Sequence, residues 1–395
     1  MRAIIILLAI IVSLRSGAQV KEGFDKNEVR DMVAICNSFT FIDIYNSDST
    51  ILPAGYEKLY TSGVFGMDNK FQLYQKGNTV VINVRGSTDK QISWMENIYS
   101  AMIPAKGVIK ISGENVEYCF AKHPQAAVHS GYALAIAFLS KDLFYHINSL
   151  TKQGVYDFII TGHSQGGSLA NMLRAYLENL KHGEISKEIR FKTYSFAAPM
   201  VGNKYFVEEY NTRFCLDNTS FNVICPADPV PTFPLSYKEG TNYFSDNLKS
   251  LLFDRESFSL KDMATDGAVL LFEKKLVALT QMLGNSASNQ ISKNVGPVTM
   301  PPYVQDINYY KINNRIEIPP VAFPKFLKDS TILKNDSLMA IYKRGPDGHF
   351  INQELYAKPG MMYQHKPYNY YVSVLRTYFP KEYGTLRKKY LPENL

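Results

Sequence analysis

Cysteine is scarce in this 395-residue chain, with four residues at Cys36, Cys119, Cys215 and Cys225. None forms a Cys-x-x-Cys pair and no His-rich spacing accompanies them, so the sequence implies no metal site. Four cysteines permit three full pairings. Only Cys215 with Cys225 is locally plausible, and four buried free thiols fit at least as well. Tryptophan occurs once, at Trp94. There is no low-complexity segment and no internal repeat. Charge runs are missing too: the net +7 is mild for this length and is scattered along the chain. That argues weakly for contact with anionic surfaces and against nucleic acid as a partner. The N-terminal apolar run, Ala3 to Leu14, is too short to span a bilayer comfortably. Preceded by Arg2 and followed by Ser16-Gly17-Ala18, it reads as a cleavable signal peptide over 1–18, which implies a secreted or periplasmic product.

What the chain does have is centred on Tyr156 to Ala170. Phe158-Ile159-Ile160 reads as a buried strand. Leu169, Leu173, Tyr176, Leu177 and Leu180 recur at spacings of three and four, which gives one apolar helical face. Between them stands Gly162-x-Ser164-x-Gly166. Glycines two positions either side of a serine allow a strand to turn sharply into a helix and leave the serine exposed at the helix N-terminus. In that setting Ser164 is a candidate nucleophile, and its own N–H and that of Gln165 are expected to be free to meet a negative oxygen. The competing reading is a turn whose serine merely caps the helix.

Elsewhere the periodicities alternate between two and three to four. Val29 to Phe39 reads as a helix. Phe71 to Gln75 and Thr79 to Val84 read as a hairpin around Lys76-Gly77-Asn78, and the second strand runs into Arg85-Gly86-Ser87. Trp94, Ile98 and Met102 follow at helical spacing, as either a cover or plain core. Ile109 to Tyr118 is a second hairpin, and Leu134 to Ile147 a helix preceding the elbow strand. Phe191 to Ala197 and Ser220 to Ile224 are further strands. The order β-α-β predicts a mostly parallel sheet flanked by helices.

Five blocks then stand in one order: Arg85-Gly86-Ser87 with Trp94; Val128-His129-Ser130-Gly131-Tyr132; Gly162-His163-Ser164-Gln165-Gly166-Gly167; Phe196 to Asn203; and Asp228-Pro229-Val230-Pro231. Over Val80 to Pro234, and again near His365, the chain resembles the class 3 lipases, the fungal-lipase-like branch of the α/β-hydrolases. Met200 departs from that pattern, which usually has arginine there. The resemblance implies an α/β-hydrolase fold in a single domain over 19–395, with a large insertion, about 236–348, before the catalytic histidine. That insertion includes an apolar helical stretch at 263–283 and a strand or two near 307–318.

The resemblance also implies a serine hydrolase with chain order Ser, Asp, His. Asp228 follows a strand. Of the two histidines beyond it, His365 precedes a helix with Tyr370 five residues on, whereas His349 sits in a turn sequence. Ser164, Asp228 and His365 are therefore the expected triad, with Ser87 and Gln165 as oxyanion donors. The expected reaction is ester hydrolysis through an acyl-enzyme, on acylglycerols first, with phospholipid or general carboxylic esters as the alternative. A non-catalytic lipid- or partner-binding protein is the rival of a different class. Substrate lipid at an interface and peripheral membrane contact are the expected partners. No cofactor is implied, and oligomeric state is left open.

Overall fold

The computed structural model describes residues 20–180, 183–234 and 284–391. The expected signal peptide and the apolar stretch at 263–283 lie outside the described residues. Among the described residues the chain gathers into two compact units, one lying within 20–224 and 284–317 together with 230–234, and the other comprising Cys225–Pro229 with 318–391. The segment expected as one elaboration therefore contributes 284–317 to the first unit and 318–348 to the second.

The first unit is built on a seven-stranded sheet. Its elements in chain order begin with α1 (Lys26–Cys36) and α2 (Ser38–Tyr45). There follow β1 (Glu57–Thr61), β2 (Phe71–Lys76), β3 (Thr79–Val84), α3 (Gln91–Ile98) and β4 (Met102–Pro104). Next come β5 (Lys106–Ile111), β6 (Glu114–Cys119), β7 (Ala127–His129) and α4 (Ser130–Lys152). The remainder is β8 (Asp157–His163), α5 (Gln165–Leu180), β9 (Arg190–Phe196), α6 (Lys204–Tyr210), β10 (Ser220–Ile224), β11 (Val298–Thr299) and β12 (Arg315–Glu317). The sheet order is β1-β2-β3-β8-β9-β10-β12. From β3 onward every neighbour is parallel, and only β1 and β2 are antiparallel.

Strand periodicity explains why both faces are covered. Val80, Ile82 and Val84 of β3 and Phe158 and Ile160 of β8 point into one core with Leu134 of α4 and Leu169 and Leu173 of α5. The intervening residues face α1: Asn83 donates its side-chain amide to the Ile35 carbonyl, and Thr161 meets the Cys36 thiol. All seven residues of β8 are buried, which makes it the centre of the sheet. This is the mostly parallel, helix-flanked sheet that the alternating elements predict, and the α/β-hydrolase fold that the resemblance implies.

One local expectation is corrected, and one open alternative is decided. The helix carrying Trp94 and Ile98 does not extend to Met102: Tyr99 leaves helical geometry, and Met102 opens β4, which pairs antiparallel with β7. All four cysteines are free, so the Cys215–Cys225 pairing does not occur. Near 307–318 one strand forms, β12, as the parallel partner of β10.

The second unit carries α7 (Pro367–Tyr378) and α8 (Pro380–Thr385). Its loops are tied to α7 through Ser373, whose hydroxyl donates to the Pro319 carbonyl, and Arg376, which donates to that of Pro320.

Ile160 is fully buried at the middle of β8. Ile160→Ala removes packing that the close-set core cannot recover, so it should cost about 2–5 kcal/mol. Urea unfolding followed by fluorescence checks this, with a lower midpoint and an unchanged slope as the expected result.

Candidate active site

The turn between β8 and α5 holds Ser164 at φ 59°, in the left-handed region that a serine enters only under constraint. The constraint comes from close packing. A Cβ on Gly162 would run into the Gly166 carbonyl, and one on Gly166 into the Val84 carbonyl at the end of β3. Only glycines let these backbones approach. The Ser164 carbonyl then accepts from the Gly167 and Ser168 N–H groups, which starts α5.

The N–H of Ser164 is not free, contrary to expectation: it donates to the Phe196 carbonyl at 2.9 Å. That bond ties the elbow to the end of β9 and leaves Ser164 no backbone donor for an oxyanion. The Gln165 N–H, at the first helical position, makes no hydrogen bond to another described residue and stays available.

Ser87, three residues past the end of β3, meets the elbow directly. Its hydroxyl donates to Gln165 Oε1 at 2.7 Å and accepts from Asn97 Nδ2 at 2.9 Å. Asn97 Nδ2 also donates to Gln165 Oε1 at 3.0 Å, and Asn97 Oδ1 accepts from the Tyr132 hydroxyl at 2.9 Å. Beneath them Asn69 donates to Glu96 Oε2 at 2.8 Å, and Gln165 Nε2 reaches Asn69 Oδ1 at 3.4 Å. His129 stacks on Tyr132, and burial pushes its imidazole down to about 3. As a neutral ring it donates from Nε2 to the Asn97 carbonyl and accepts the Tyr132 N–H at Nδ1.

Thus Ser87 and Gln165 are brought together as expected, but the residues holding them were not foreseen. Asn69, Glu96 and Asn97 carry no motif of their own, and Tyr132 stands in one of the five blocks without a role having been read for it. Glu96 and Asn97 are also hidden by α3, whose apolar and polar faces are the reverse of the usual pattern. Trp94 and Ile98 are 45% and 46% exposed, while Ser93 and Glu96 are buried. The one available signal was a carboxylate on the same helical side as Ser93, three residues away.

In the second unit Asp228 Oδ2 lies 2.8 Å from His365 Nδ1 and accepts the Tyr370 hydroxyl at 2.7 Å. The Tyr370 oxygen itself accepts the Cys225 N–H at 3.0 Å. Burial, reinforced by the Asp228 charge, holds the Tyr370 phenol well above its ordinary value, so it remains a donor to the carboxylate. His365 sits just ahead of α7, so the first turn of that helix presents Tyr370 to the same acid. His349 instead occupies a turn, where its N–H donates to Asp347 and its carbonyl accepts from Gly345. The second unit accordingly brings together Asp228 and His365, and the first brings together Ser164, Ser87 and Gln165. Among the described residues no cluster of His, Cys, Asp and Glu could hold a metal ion.

Residues 81–238 match the family model described as lipase (class 3). A secreted mono- and diacylglycerol lipase 1 from Fusarium solani is 26% identical over 156 residues, which is 39% of this chain and 39% of that protein. Two solved structures are similar at low identity. One, described as a model for interfacial activation in lipases from a fungal lipase–inhibitor complex, has a TM-score of 0.42 at 18% identity and covers 53% of this chain and 74% of its own. Lipase II from Rhizopus niveus has a TM-score of 0.40 at 16% identity, over 53% and 75%.

Burial raises the Glu96 carboxyl from an ordinary 4.5 to about 8. Between those values the folded chain keeps a proton that the unfolded chain releases, so rising pH favours unfolding. This contribution to stability is complete below about 4.5 and is lost as pH rises through about 8. Glu96→Gln, which cannot ionise, should flatten that slope of up to about 1.4 kcal/mol per pH unit. Melting temperatures of both proteins across pH 5–9 check it, with the gap between them widening in favour of the variant as pH rises.

Proposed function

We propose that this chain, a member of the class 3 lipase family through residues 81–238, is an exported serine ester hydrolase that cleaves acylglycerols with Ser164, His365 and Asp228. The observation that carries the reading is the elbow. Ser164 is held at positive φ between glycines, beside a free Gln165 N–H and a Ser87 hydroxyl locked onto the Gln165 side chain. A serine that only capped a helix would need none of this.

In the proposed mechanism His365 donates Nδ1–H to Asp228 and keeps Nε2 as the base. Ser164 Oγ loses its proton to that nitrogen as it attacks the ester carbonyl. The carbonyl oxygen becomes an oxyanion that accepts hydrogen bonds from the N–H groups of Gln165 and Ser87. Protonated His365 then gives its proton to the departing alcohol. Water repeats the sequence on the acyl-enzyme and restores Ser164. Asp228 stabilises the imidazolium, and the Tyr370 hydroxyl keeps the carboxylate turned towards His365.

Acylglycerols are preferred over other esters on two grounds. The Fusarium relative is named for mono- and diacylglycerols. In addition, the reversed polarity of α3 leaves Trp94 and Ile98 facing outward beside the oxyanion segment. Each side chain of this half-exposed pair gains on the order of 1 kcal/mol on entering lipid. The inner face of α3 is fixed by Ser93, Glu96 and Asn97, so the helix serves as an anchored contact rather than a free cover. Triolein emulsion, phospholipid vesicles and short soluble esters, compared with one purified enzyme, separate a lipase from a phospholipase or general carboxylesterase. Export rests on the 1–18 signal reading and on the relative being described as secreted.

Ser164→Ala should lower ester hydrolysis by a factor on the order of a million, as in other triads. His365→Ala should be comparably inactive, whereas His349→Ala keeps most activity. Asp228→Asn should lose less than the serine change, because a misoriented base is still sampled. Initial rates with a soluble p-nitrophenyl ester measure all four, and near-normal turnover by a folded Ser164→Ala overturns the mechanism.

With tributyrin raised through its solubility limit, the rate should jump as an interface appears. Trp94→Ser should shrink that jump by about tenfold, the equivalent of roughly 1.4 kcal/mol of lost lipid contact. A smooth hyperbola for the wild type would remove the interfacial role and favour a general esterase.

A further inference from the structure

The Gln165 side chain has to point one way only. Its Oε1 accepts from two donors, Ser87 Oγ at 2.7 Å and Asn97 Nδ2 at 3.0 Å. A flipped amide would present an N–H to both and lose both bonds. What keeps the nitrogen on the far side is the pair Asn69 and Glu96. Asn69 Oδ1 accepts from Gln165 Nε2, Asn69 Nδ2 donates to Glu96 Oε2, and the Glu96 carboxyl also faces the Gln165 amide. Glu96 is fully buried, and its backbone is fixed as firmly as its side chain, because α4 passes so close at Gly131 that a Cβ there would run into the Glu96 carbonyl.

We propose that Glu96 is a positioning residue for the reaction: it orients the Asn69 and Gln165 amides, and through Gln165, which takes the Ser87 hydroxyl proton, it anchors Ser87 so that its N–H meets the oxyanion. The proposal rests on the serine-hydrolase reading and deepens it. Glu96 touches neither substrate nor reacting atoms, so its effect belongs to kcat. A side chain that cannot accept at position 96 frees Gln165 to turn over. Ser87 then loses the acceptor that anchors its side chain, and its N–H is no longer held towards the oxyanion.

The site has a second property. Burial keeps Glu96 protonated up to about pH 8. Above that, a charge forms under the place where the oxyanion develops, with like sign and little water to screen it. Among the described residues the groups facing Glu96 supply no cation. α4 contributes the Tyr132 phenol, itself raised by burial, and α5 contributes the Gln165 amide. The loop before β2 contributes Asn69, and the neighbouring Asp68 is already paired with Arg85 and Lys90. His129 is neutral across this range. Ionised Glu96 therefore weakens the oxyanion site as well as the fold.

The test uses the full chain and a p-nitrophenyl butyrate assay from pH 6 to 10, with wild type, Glu96→Gln, Glu96→Ala and Ser164→Ala. At pH 7 Glu96→Ala should lose about 10- to 100-fold in kcat, a good part of the effect of one oxyanion donor, with KM within about threefold. Glu96→Gln can still accept and should keep kcat within about threefold. Its activity should hold above pH 8, where that of the wild type falls. If Glu96→Ala does not fold, the pH profile of Glu96→Gln decides alone. Wild-type kcat in a folded Glu96→Ala overturns the proposal, as does an alkaline fall in Glu96→Gln equal to that of the wild type. In either case an active wild type and an inactive Ser164→Ala leave the hydrolase reading standing. A wild type that cleaves no ester at any pH overturns that reading and the role of Glu96 together.

Discussion

The passage of β3 past the elbow is the constraint on which the proposed chemistry depends. Val84 ends β3 with its carbonyl against Gly166, and Gly86 follows with its Cα against the His163 carbonyl. No side chain fits at either glycine. The same contact forces Ser164 into the left-handed region and carries Ser87 to within 2.7 Å of the Gln165 side chain. The proposed nucleophile and oxyanion residues are thus set by one packing event between two adjacent parallel strands. The strain at Ser164, on the order of 1–3 kcal/mol, is sustained because the surrounding backbone bonds over-determine it. The bond from its own N–H to Phe196 is one of them.

Much of this was legible before any coordinates. Glycine spacing around Ser164, strand-like runs at Thr79 to Val84 and Phe158 to Ile160, and alternating helices are local signals, and they predicted a mostly parallel sheet flanked by helices. The order in which β3, β8 and β9 lie side by side is instead a long-range property. Asp228 and His365 were legible for a different reason. Chain order and the tyrosine at position 370 came through family resemblance, and the 2.8 Å contact between acid and imidazole agrees with that assignment.

What was not legible has a common physical cause. A periodicity argument assumes that apolar residues turn inward, and α3 does the opposite. Trp94 and Ile98 face out because the inward side has polar work to do, with Ser93, Glu96 and Asn97 bonded to the Thr88 N–H, Asn69, Ser87 and Gln165. Those bonds join residues up to 68 positions apart, so no window along the chain reveals them. The same limit hid the acceptor of the Ser164 N–H, which lies on β9. Local composition likewise could not tell a Cys215–Cys225 bridge from two buried thiols. That choice depends on where β10 places its ends, and both sulfurs stay free.

The central claim is that Ser164 is the nucleophile of an ester hydrolase, and a covalent label tests it most directly. A fluorophosphonate reacts only with a serine whose hydroxyl is activated and whose oxyanion site is formed. After incubation of the folded chain and digestion, mass spectrometry should find one adduct, on the peptide containing Ser164, and none after denaturation or in Ser164→Ala. An adduct on a different serine, or a folded wild type that takes up no label, would contradict the account.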